Sequence, residues 1–258
     1  MTKQSKRSSD GLHWYAEQIR YTIFPRVSPL NHQLIDIWRN LRDDDPDKFS
    51  FEPTNQQIQK LEDDRNFLII SNIDRIHLQL VPPAPKGMPE KSFADVGDFK
   101  KVLPIFNDMV EQWLCDDTIG SIWRLAVGCI LLSPVESKAE GYHKLATVLP
   151  SVRIDAEDSH DFRYQINRRR DAKIGENDSY YNRIATWSVA RSQAVGFIFS
   201  DQGTYYKEKT PPQFACRLAL DINTPQDYEG IIERDSILSI VKDLRNLGIE
   251  LAEAGDIK

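Results

Sequence analysis

The sequence has few of the features that mark secreted, membrane-bound and metal-binding proteins. It contains only three cysteines, Cys115, Cys129 and Cys216, which stand far apart in apolar stretches. Three such thiols cannot all pair with one another, and thiols in apolar surroundings commonly pack as small hydrophobic groups. The sequence therefore predicts reduced thiols and a cytoplasmic location, and it predicts no metal site, since neither the cysteines nor the five histidines have metal-ligand spacing.

Long apolar runs are also missing. No stretch approaches the roughly 20 residues that cross a bilayer, and the longest, 125–132, has the length of one buried strand. The first ten residues are polar and basic and lack the apolar segment of a secretory signal, so we interpret 1–10 as a flexible tail. We expect a soluble protein without a membrane partner.

Basic residues are fewer than acidic residues. The 33 Lys and Arg residues stand against 39 Asp and Glu, which gives a net charge of -6 and an isoelectric point near 5.5. Indiscriminate polyanion binders usually carry a surplus of Lys and Arg, so this class is disfavoured, while a local basic surface stays open. The 12 glycines form neither a phosphate loop nor a dinucleotide fingerprint, and no cofactor is predicted.

Ordinary globular composition favours a packed core. Hydrophobic residues make up 40% of the chain and charged residues 28%, close to the averages for folded domains. The 258 residues suffice for one large domain or for two packed halves. We expect residues 11–258 to form a single integrated unit, with packed halves 11–133 and 134–258 as the alternative.

The first half predicts the order strand, helix, strand, strand, helix, strand. These elements are a strand over 13–26, a helix beginning at Pro29, a hairpin over 67–73 and 75–81, a helix within 95–114 and an apolar strand over 122–132. This order matches the ferredoxin-like βαββαβ motif. We interpret the polar segment 55–64 as an additional short helix.

The second half predicts helices laid on antiparallel strands. A helix is expected over 135–149, strands over 161–170, 180–195 and 214–222, and then a long terminal helix with an apolar stripe from Ile231 to Leu251. Together the two halves predict an α+β fold, in which antiparallel sheet is covered by helices and a long helix ends the chain.

The most unusual local sequence is 162–170, FRYQINRRR, followed by a neighbouring strand over 182–191. On a strand, Phe162, Tyr164 and Ile166 would face inward and leave arginine and amide side chains on the other face. Guanidinium groups beside amides suit a phosphate, a carboxylate or a nucleic-acid backbone. The alternative is a solvated face whose arginines pair with acidic residues. The predicted ligand-binding residues are Arg163, Asn167, Arg168, Arg170, Arg183, Trp187 and Arg191.

One histidine has acidic neighbours that would be compatible with a catalytic role. His160 lies between Asp158 and Asp161, an arrangement that would suit a base oriented by a carboxylate. A solvated loop histidine is the alternative. The surrounding acidic residues do not follow the EF-hand pattern, and no serine lies in a nucleophile elbow. The sequence therefore nominates no catalytic residue.

Three short motifs carry a family resemblance: YQINR at 164–168, NRI at 182–184 and LDI at 220–222. With them the chain resembles a sporadically distributed family of uncharacterised bacterial proteins of about this length. The resemblance implies an N-terminal strand and helix, a sheet containing arginine and asparagine, an aspartate-bearing strand and a long terminal helix. It also implies a compact bacterial accessory or binding protein, encoded beside mobile or defence genes.

Three functions stay open from the sequence. The leading hypothesis is a non-catalytic binding or assembly subunit of a bacterial complex, with a protein partner or a second copy of itself, because core signals are abundant and no reaction centre is recognisable. The second is recognition of nucleic acid or a nucleotide by the arginine-rich sheet face. The third is a hydrolase of unfamiliar type that uses His160.

Overall fold

The computed structural model describes residues 11–31, 34–84, 93–114, 120–193, 195–200, 203–208 and 211–256. The helices in this part of the chain are α1 (Leu34–Leu41), α2 (Phe99–Leu114), α3 (Lys138–Val148) and α4 (Arg234–Ala254). The strands are β1 (Tyr15–Pro25), β2 (Lys48–Glu52), β3 (Asn55–Glu62), β4 (Arg65–Asn72), β5 (Ile76–Val81), β6 (Ile122–Val135), β7 (Arg163–Asn167), β8 (Arg170–Ile174), β9 (Asn177–Ser192), β10 (Val195–Ser200), β11 (Gly203–Glu208) and β12 (Gln213–Asn223). The predicted tail 1–10 lies outside the described residues.

Ten strands form one antiparallel sheet. Its order is β2-β3-β4-β5-β1-β6-β12-β9-β7, and β8 continues the line of β7 along β9 in the same register. The strands β10 and β11 form a separate hairpin. Because β6 pairs with β1 on one side and with β12 on the other, the sheet runs unbroken across the boundary at residue 133.

The first half has the strand arrangement of the ferredoxin-like motif. Four of its strands lie in the order β4-β5-β1-β6, and α1 and α2 follow β1 and β5 in the chain. Since β1 and β4 are both antiparallel to β5, they run parallel to each other with β5 between them, which is the split βαβ arrangement. The hairpin β2–β3 is inserted between α1 and β4 and extends the sheet beyond the motif.

The prediction of a helix over 55–64 is wrong, because this segment forms β3. Gln56 and Ile58 are buried on one side of the strand, whereas their neighbours are more exposed. The turn that follows places Asp63 and Asp64 at positive φ, 46° and 57°, as the tightest hairpin turns require. Cross-strand pairing with β4 therefore overrides a local sequence whose amides and charges gave no strand signal.

All four helices lie on the same face of the sheet. Trp38 of α1 contacts Phe67 of β4, and Phe106 of α2 contacts Tyr21 of β1. The strand registers place Tyr21 and Phe67 on the same face of the sheet that α3 and α4 cover over β6, β12 and β9. The apolar stripe of α4 buries Ile237, Ile240, Val241, Leu244 and Leu251, each contributing about 1.5–3 kcal/mol by leaving water.

A local capping signal fixes where α3 begins. Ser137 accepts a hydrogen bond from the backbone N–H of Glu140 at 3.1 Å, while the Glu140 carboxylate accepts one from the N–H of Glu136 at 2.7 Å. These reciprocal bonds satisfy free donors at the start of α3. The terminal helix begins at Arg234, so Ile232 precedes it and instead pairs with Ile122.

No described helix is both long enough and apolar enough to cross a membrane.

Candidate functional site

The structure divides the seven predicted ligand-binding residues between the two faces of the sheet. Side chains alternate along a strand, and Arg163 and Asn167 of β7 lie on the face away from the helices. Arg183 and Trp187 of β9 lie on the helix face. The predicted residues therefore do not form one constellation.

Arg168 holds the carboxylate of Asp256, just beyond the end of α4. Its Nε and Nη2 donate to the two carboxylate oxygens at 2.5 and 2.8 Å, and the hydroxyls of Tyr164 and Ser151 donate at 2.9 and 2.7 Å. Arg168 is the largest cause of the lowered pKa of Asp256, which falls from 3.8 to about 2 because every donor favours the ionised form. Arg168 thus fixes the segment after α4 to the sheet.

Arg170 and Arg183 both approach Glu250 of α4, at 3.5 and 3.7 Å. Only 1% of the Arg183 side chain is exposed, and its Nε and Nη2 have no hydrogen-bond partner among the described residues. Burial lowers the pKa of Arg183, and the charge of Glu250 partly offsets this effect. Both arginines therefore link the sheet to α4.

Trp187 and Arg191 lie apart from each other. Trp187 is fully buried and stacks on Tyr164, with ring centroids 5.8 Å apart and an interplanar angle of 26°. Arg191 is exposed near the end of β9, where its Nη2 donates to the side chain of Gln193 at 2.7 Å. Trp187 belongs to the core and offers no face to a ligand.

The sheet face opposite the helices, called the open face below, is polar across its central strands. Within the described part of the chain, none of the four helices covers it. Antiparallel sheets commonly leave one face to solvent, so polarity alone would not mark a site. The polar side chains of the open face include Gln18, Arg20, Thr22, His77, Gln79, Arg124, Arg163, Gln165, Asn167, Asn182, Thr186, Ser188, Arg217, Asp221 and Asn223.

Arg20 stands in the middle of the open face, and no described acidic residue forms an ion pair with it. Its guanidinium lies over Gly128 of β6, where an added Cβ would be 3.2 Å from Nη2 and 3.5 Å from Nε. The Nε atom is buried, yet no described residue accepts its hydrogen. A buried donor left unpaired costs about 1–3 kcal/mol, and more when it is charged. This guanidinium is therefore placed to gain from an anionic ligand.

A chain of amides extends from this centre toward the β7 edge. Asn223 accepts hydrogen bonds from Arg124 at 3.2 Å and from Asn182 at 3.1 Å, and it donates to Asp221 at 3.1 Å. Asn167 in turn donates to Asn182 at 2.8 Å. These bonds orient the side chains across β6, β12, β9 and β7, so the face presents donors and acceptors in fixed positions.

Two further pairs order the other side of the open face. Gln18 donates to Gln79 at 2.9 Å, and Thr22 lies 2.9 Å from Nδ1 of His77. Burial and then the charge of Arg20 lower the pKa of His77 from 6.5 to about 4. His77 is therefore neutral at pH 7, and the positive charge of this region comes from the arginines.

A shallow cavity of about 210 Å³ opens beside Arg20. Gln18, Thr186 and Asp221 line it together with Arg20, but Arg20 and Asp221 form no ion pair with each other. Since a guanidinium only donates and a carboxylate only accepts hydrogen bonds at neutral pH, the cavity suits a group that offers both an acceptor and a donor. The edge of a nucleobase has this property.

Another cavity, of about 770 Å³, lies on the helix side between α2 and α4. At its rim, Nε2 of His13 lies 3.1 Å from the Asp98 carboxylate, and Lys100 forms an ion pair with Glu253 at 2.6 Å. Most of its remaining surface is apolar. It therefore offers less basis than the open face for selecting a ligand by charge.

The His160 segment does not have the geometry expected of a hydrolytic centre. Nδ1 of His160 lies 2.8 Å from Nζ of Lys138, and the described contacts bring neither Asp158 nor Asp161 to the imidazole. Asp155 instead accepts the backbone N–H of Asp158 at 3.1 Å. Across the described residues, no group of three or more metal-ligating side chains converges.

The predicted ligand-binding residues included neither Arg20 nor Asp221, although Asp221 lies in the LDI motif at 220–222. The available signals were the alternation of Gln18, Arg20 and Thr22 in β1 and the single glycine, Gly128, within an apolar strand. Neither pattern specifies that β1, β6 and β12 become neighbours.

No protein-family model matches the chain, and no curated protein sequence matches it.

Proposed function

We propose that this protein is a non-catalytic binding subunit that takes single-stranded nucleic acid on the open face of its sheet. The observation that carries the proposal is the Arg20 guanidinium over Gly128, whose Nε has no hydrogen-bond partner among the described residues. Phosphate groups are suitable partners, because a guanidinium donates to them through a planar fork.

The distribution of charge supports an anionic ligand on this face. Arg20, Arg124 and Arg163 form no ion pair with a described carboxylate, whereas Arg217 lies 3.8 Å from Glu17. The chain as a whole is acidic, at -6. A local positive surface on an acidic protein orients a polyanion toward one face, while the rest of the surface repels it.

The amides favour a nucleic acid over a simpler polyanion. Gln79, Asn167 and Asn182 present both donors and acceptors, which can read base edges, whereas a sulfated or phosphorylated polymer needs only cations. From β5 to β7 the face spans six strands, about 24 Å at about 4.8 Å per spacing, which several nucleotides can follow.

Base stacking has little part in the proposal. Phe24 on the open face is 7% exposed, and its ring lies under the guanidinium groups of Arg75 and Arg124, at 5.4 and 4.8 Å. We therefore expect binding through phosphates and base edges, with a strong dependence on salt.

The test is fluorescence anisotropy with labelled single-stranded DNA and RNA 20-mers over a range of salt concentrations. Arg20→Gln should weaken binding about tenfold at low salt and reduce the salt slope by about one. Arg39→Gln is the matched control, because Arg39 is 71% exposed on α1, at the helix side. Absence of binding at low salt, or equal losses in the two variants, would contradict the proposal.

A protein partner is the second candidate, and the exposed Phe49 and Phe51 of β2 favour it.

We place the protein in the bacterial cytosol, and the buried thiols of Cys129 and Cys216, which form no disulfide, support this location. Affinity purification from the native source tests both candidates. A stoichiometric protein would favour assembly, and nuclease-sensitive material would favour nucleic acid. The link to defence genes stays a prediction.

A further inference from the structure

The strand β2 stands at one end of the sheet, where it has a neighbour on one side only among the described residues. All five of its residues are exposed. Phe49 is 52% exposed and Phe51 67% exposed, although aromatic side chains of this size are usually covered. An edge strand with free backbone groups and exposed phenyl rings is a template for pairing with another strand.

The sequence of β2, KFSFE, is complementary to itself when two copies run antiparallel. Centred on Ser50, this pairing places Lys48 opposite Glu52 of the second copy and Phe49 opposite Phe51. A two-fold axis then repeats each pair, which gives two Lys–Glu pairs and two Phe–Phe pairs. Both are cross-strand pairs that stabilise an antiparallel ladder. Neither Lys48 nor Glu52 forms an ion pair within the described residues.

The backbone geometry suits the same register. Two turn residues separate Glu52 from Asn55, so these two form the hydrogen-bonded pair that closes the β2–β3 hairpin. Hydrogen-bonded pairs alternate along an antiparallel ladder. The N–H and C=O groups of Phe49 and Phe51 therefore point outward, and a second β2 centred on Ser50 receives four backbone hydrogen bonds.

The side chains would then divide between the two faces of the joined sheet. Phe49 lies opposite the buried Ile58 of β3, so the phenyl rings lie on the helix side, and Lys48 and Glu52 lie on the open side. Four rings, two from each copy, would cover one another. The open face of each copy would continue into that of the other.

We propose that two copies of this chain form a symmetric dimer by antiparallel pairing of their β2 strands. The occupant of the β2 edge is a second copy rather than an unrelated strand, because the order of charges and rings matches its own reverse. The inference is independent of the ligand that the open face binds.

The test measures the dimer dissociation constant by sedimentation equilibrium in wild type, Lys48→Glu, Glu52→Lys and the double variant that carries both changes. Each single change places like charges opposite each other twice per dimer and should raise the constant about tenfold or more. The double variant restores opposite charges and should return the constant to near the wild-type value. Thermal unfolding of each variant, at a concentration where it is monomeric, checks that the fold is intact.

Mixing the two single variants gives a second readout. One chain then carries Glu at positions 48 and 52 and the other carries Lys at both, so we expect a heterodimer where each variant alone is monomeric. A wild-type protein that stays monomeric up to millimolar concentration would overturn the proposal. A dimer that all three variants retain unchanged would also overturn it, because its interface would then lie elsewhere.

Discussion

Replacing Asp256 by Asn should destabilise the protein, although the residue lies near the end of the chain. The Asp256 side chain is completely buried and accepts hydrogen bonds from Arg168, Tyr164 and Ser151. An amide of nearly the same shape cannot provide the negative charge that balances Arg168. The substitution therefore removes the charge and leaves the packing almost unchanged.

The size of the effect follows from the pKa of Asp256. Its pKa is lowered from 3.8 to about 2. Each pKa unit corresponds to roughly 1.4 kcal/mol, so the ionised carboxylate contributes about 2–3 kcal/mol to the free energy of unfolding at pH 7. For a chain of this size we expect the Asn variant to unfold about 5 °C lower than wild type.

The pH dependence distinguishes lost charge from lost packing. A carboxyl with a lowered pKa in the folded state stabilises fully above its unfolded pKa, 3.8, and this stabilisation is lost as the pH falls toward about 2. The difference between wild type and Asp256→Asn should therefore be constant from pH 7 to about pH 5 and fall to roughly half by pH 3. Urea unfolding followed by circular dichroism measures this difference.

Arg168→Gln provides the matched comparison. If the two side chains act as one pair, Arg168→Gln combined with Asp256→Asn should cost less than the sum of the single changes, with a coupling of about 1 kcal/mol or more. A loss below about 0.5 kcal/mol in Asp256→Asn, or strict additivity of the two changes, would refute the reasoning.

Two further predictions concern packing in the core. Gly141→Ala should lower the free energy of unfolding in urea by about 1–3 kcal/mol, because the added Cβ would lie 2.8 Å from Cγ2 of Val189. Gly11→Ala is the control and should be neutral, because open space surrounds Gly11. Equal effects of the two substitutions would contradict this packing. In a Cys115→Ser variant, Cys129 and Cys216 should react with a thiol reagent at pH 8 only after unfolding, since burial raises the pKa of each to about 12. Rapid labelling of the folded protein would show that one of them is accessible.

The elements with strong local patterns could be predicted from the sequence. Alternation in 75–81 and the apolar stripe of the terminal helix each require one buried face, and the structure confirms both elements. The α+β fold with antiparallel sheet and a long final helix is confirmed as well. The segment 55–64 could not be assigned correctly, since its strand depends on partners in β4.

The candidate site was less predictable. The unusual segment 162–170 attracted attention to its arginines, but Arg168 reaches Asp256 just after α4 and Arg170 reaches Glu250 of α4, and both partners lie more than 70 positions away in the chain. The alternation of Gln18, Arg20 and Thr22 indicates a polar strand face, but it does not specify which strands become neighbours of Arg20. Whether an arginine is paired or free depends on which carboxylates the fold brings to it.

By itself, the sequence determined the segments whose residues must bury one face, because hydrophobic periodicity is a local property. It thereby set the fold class and the positions of most strands and helices. Tertiary structure decided the rest. The order of the strands placed Arg20 of β1 over Gly128 of β6 and left β2 at the edge. Packing of α4 and of the segment after it against the sheet brought Asp256 to Arg168 and Glu250 to Arg183. Charge pairing and edge position arise only when distant segments meet, so no local pattern could encode them.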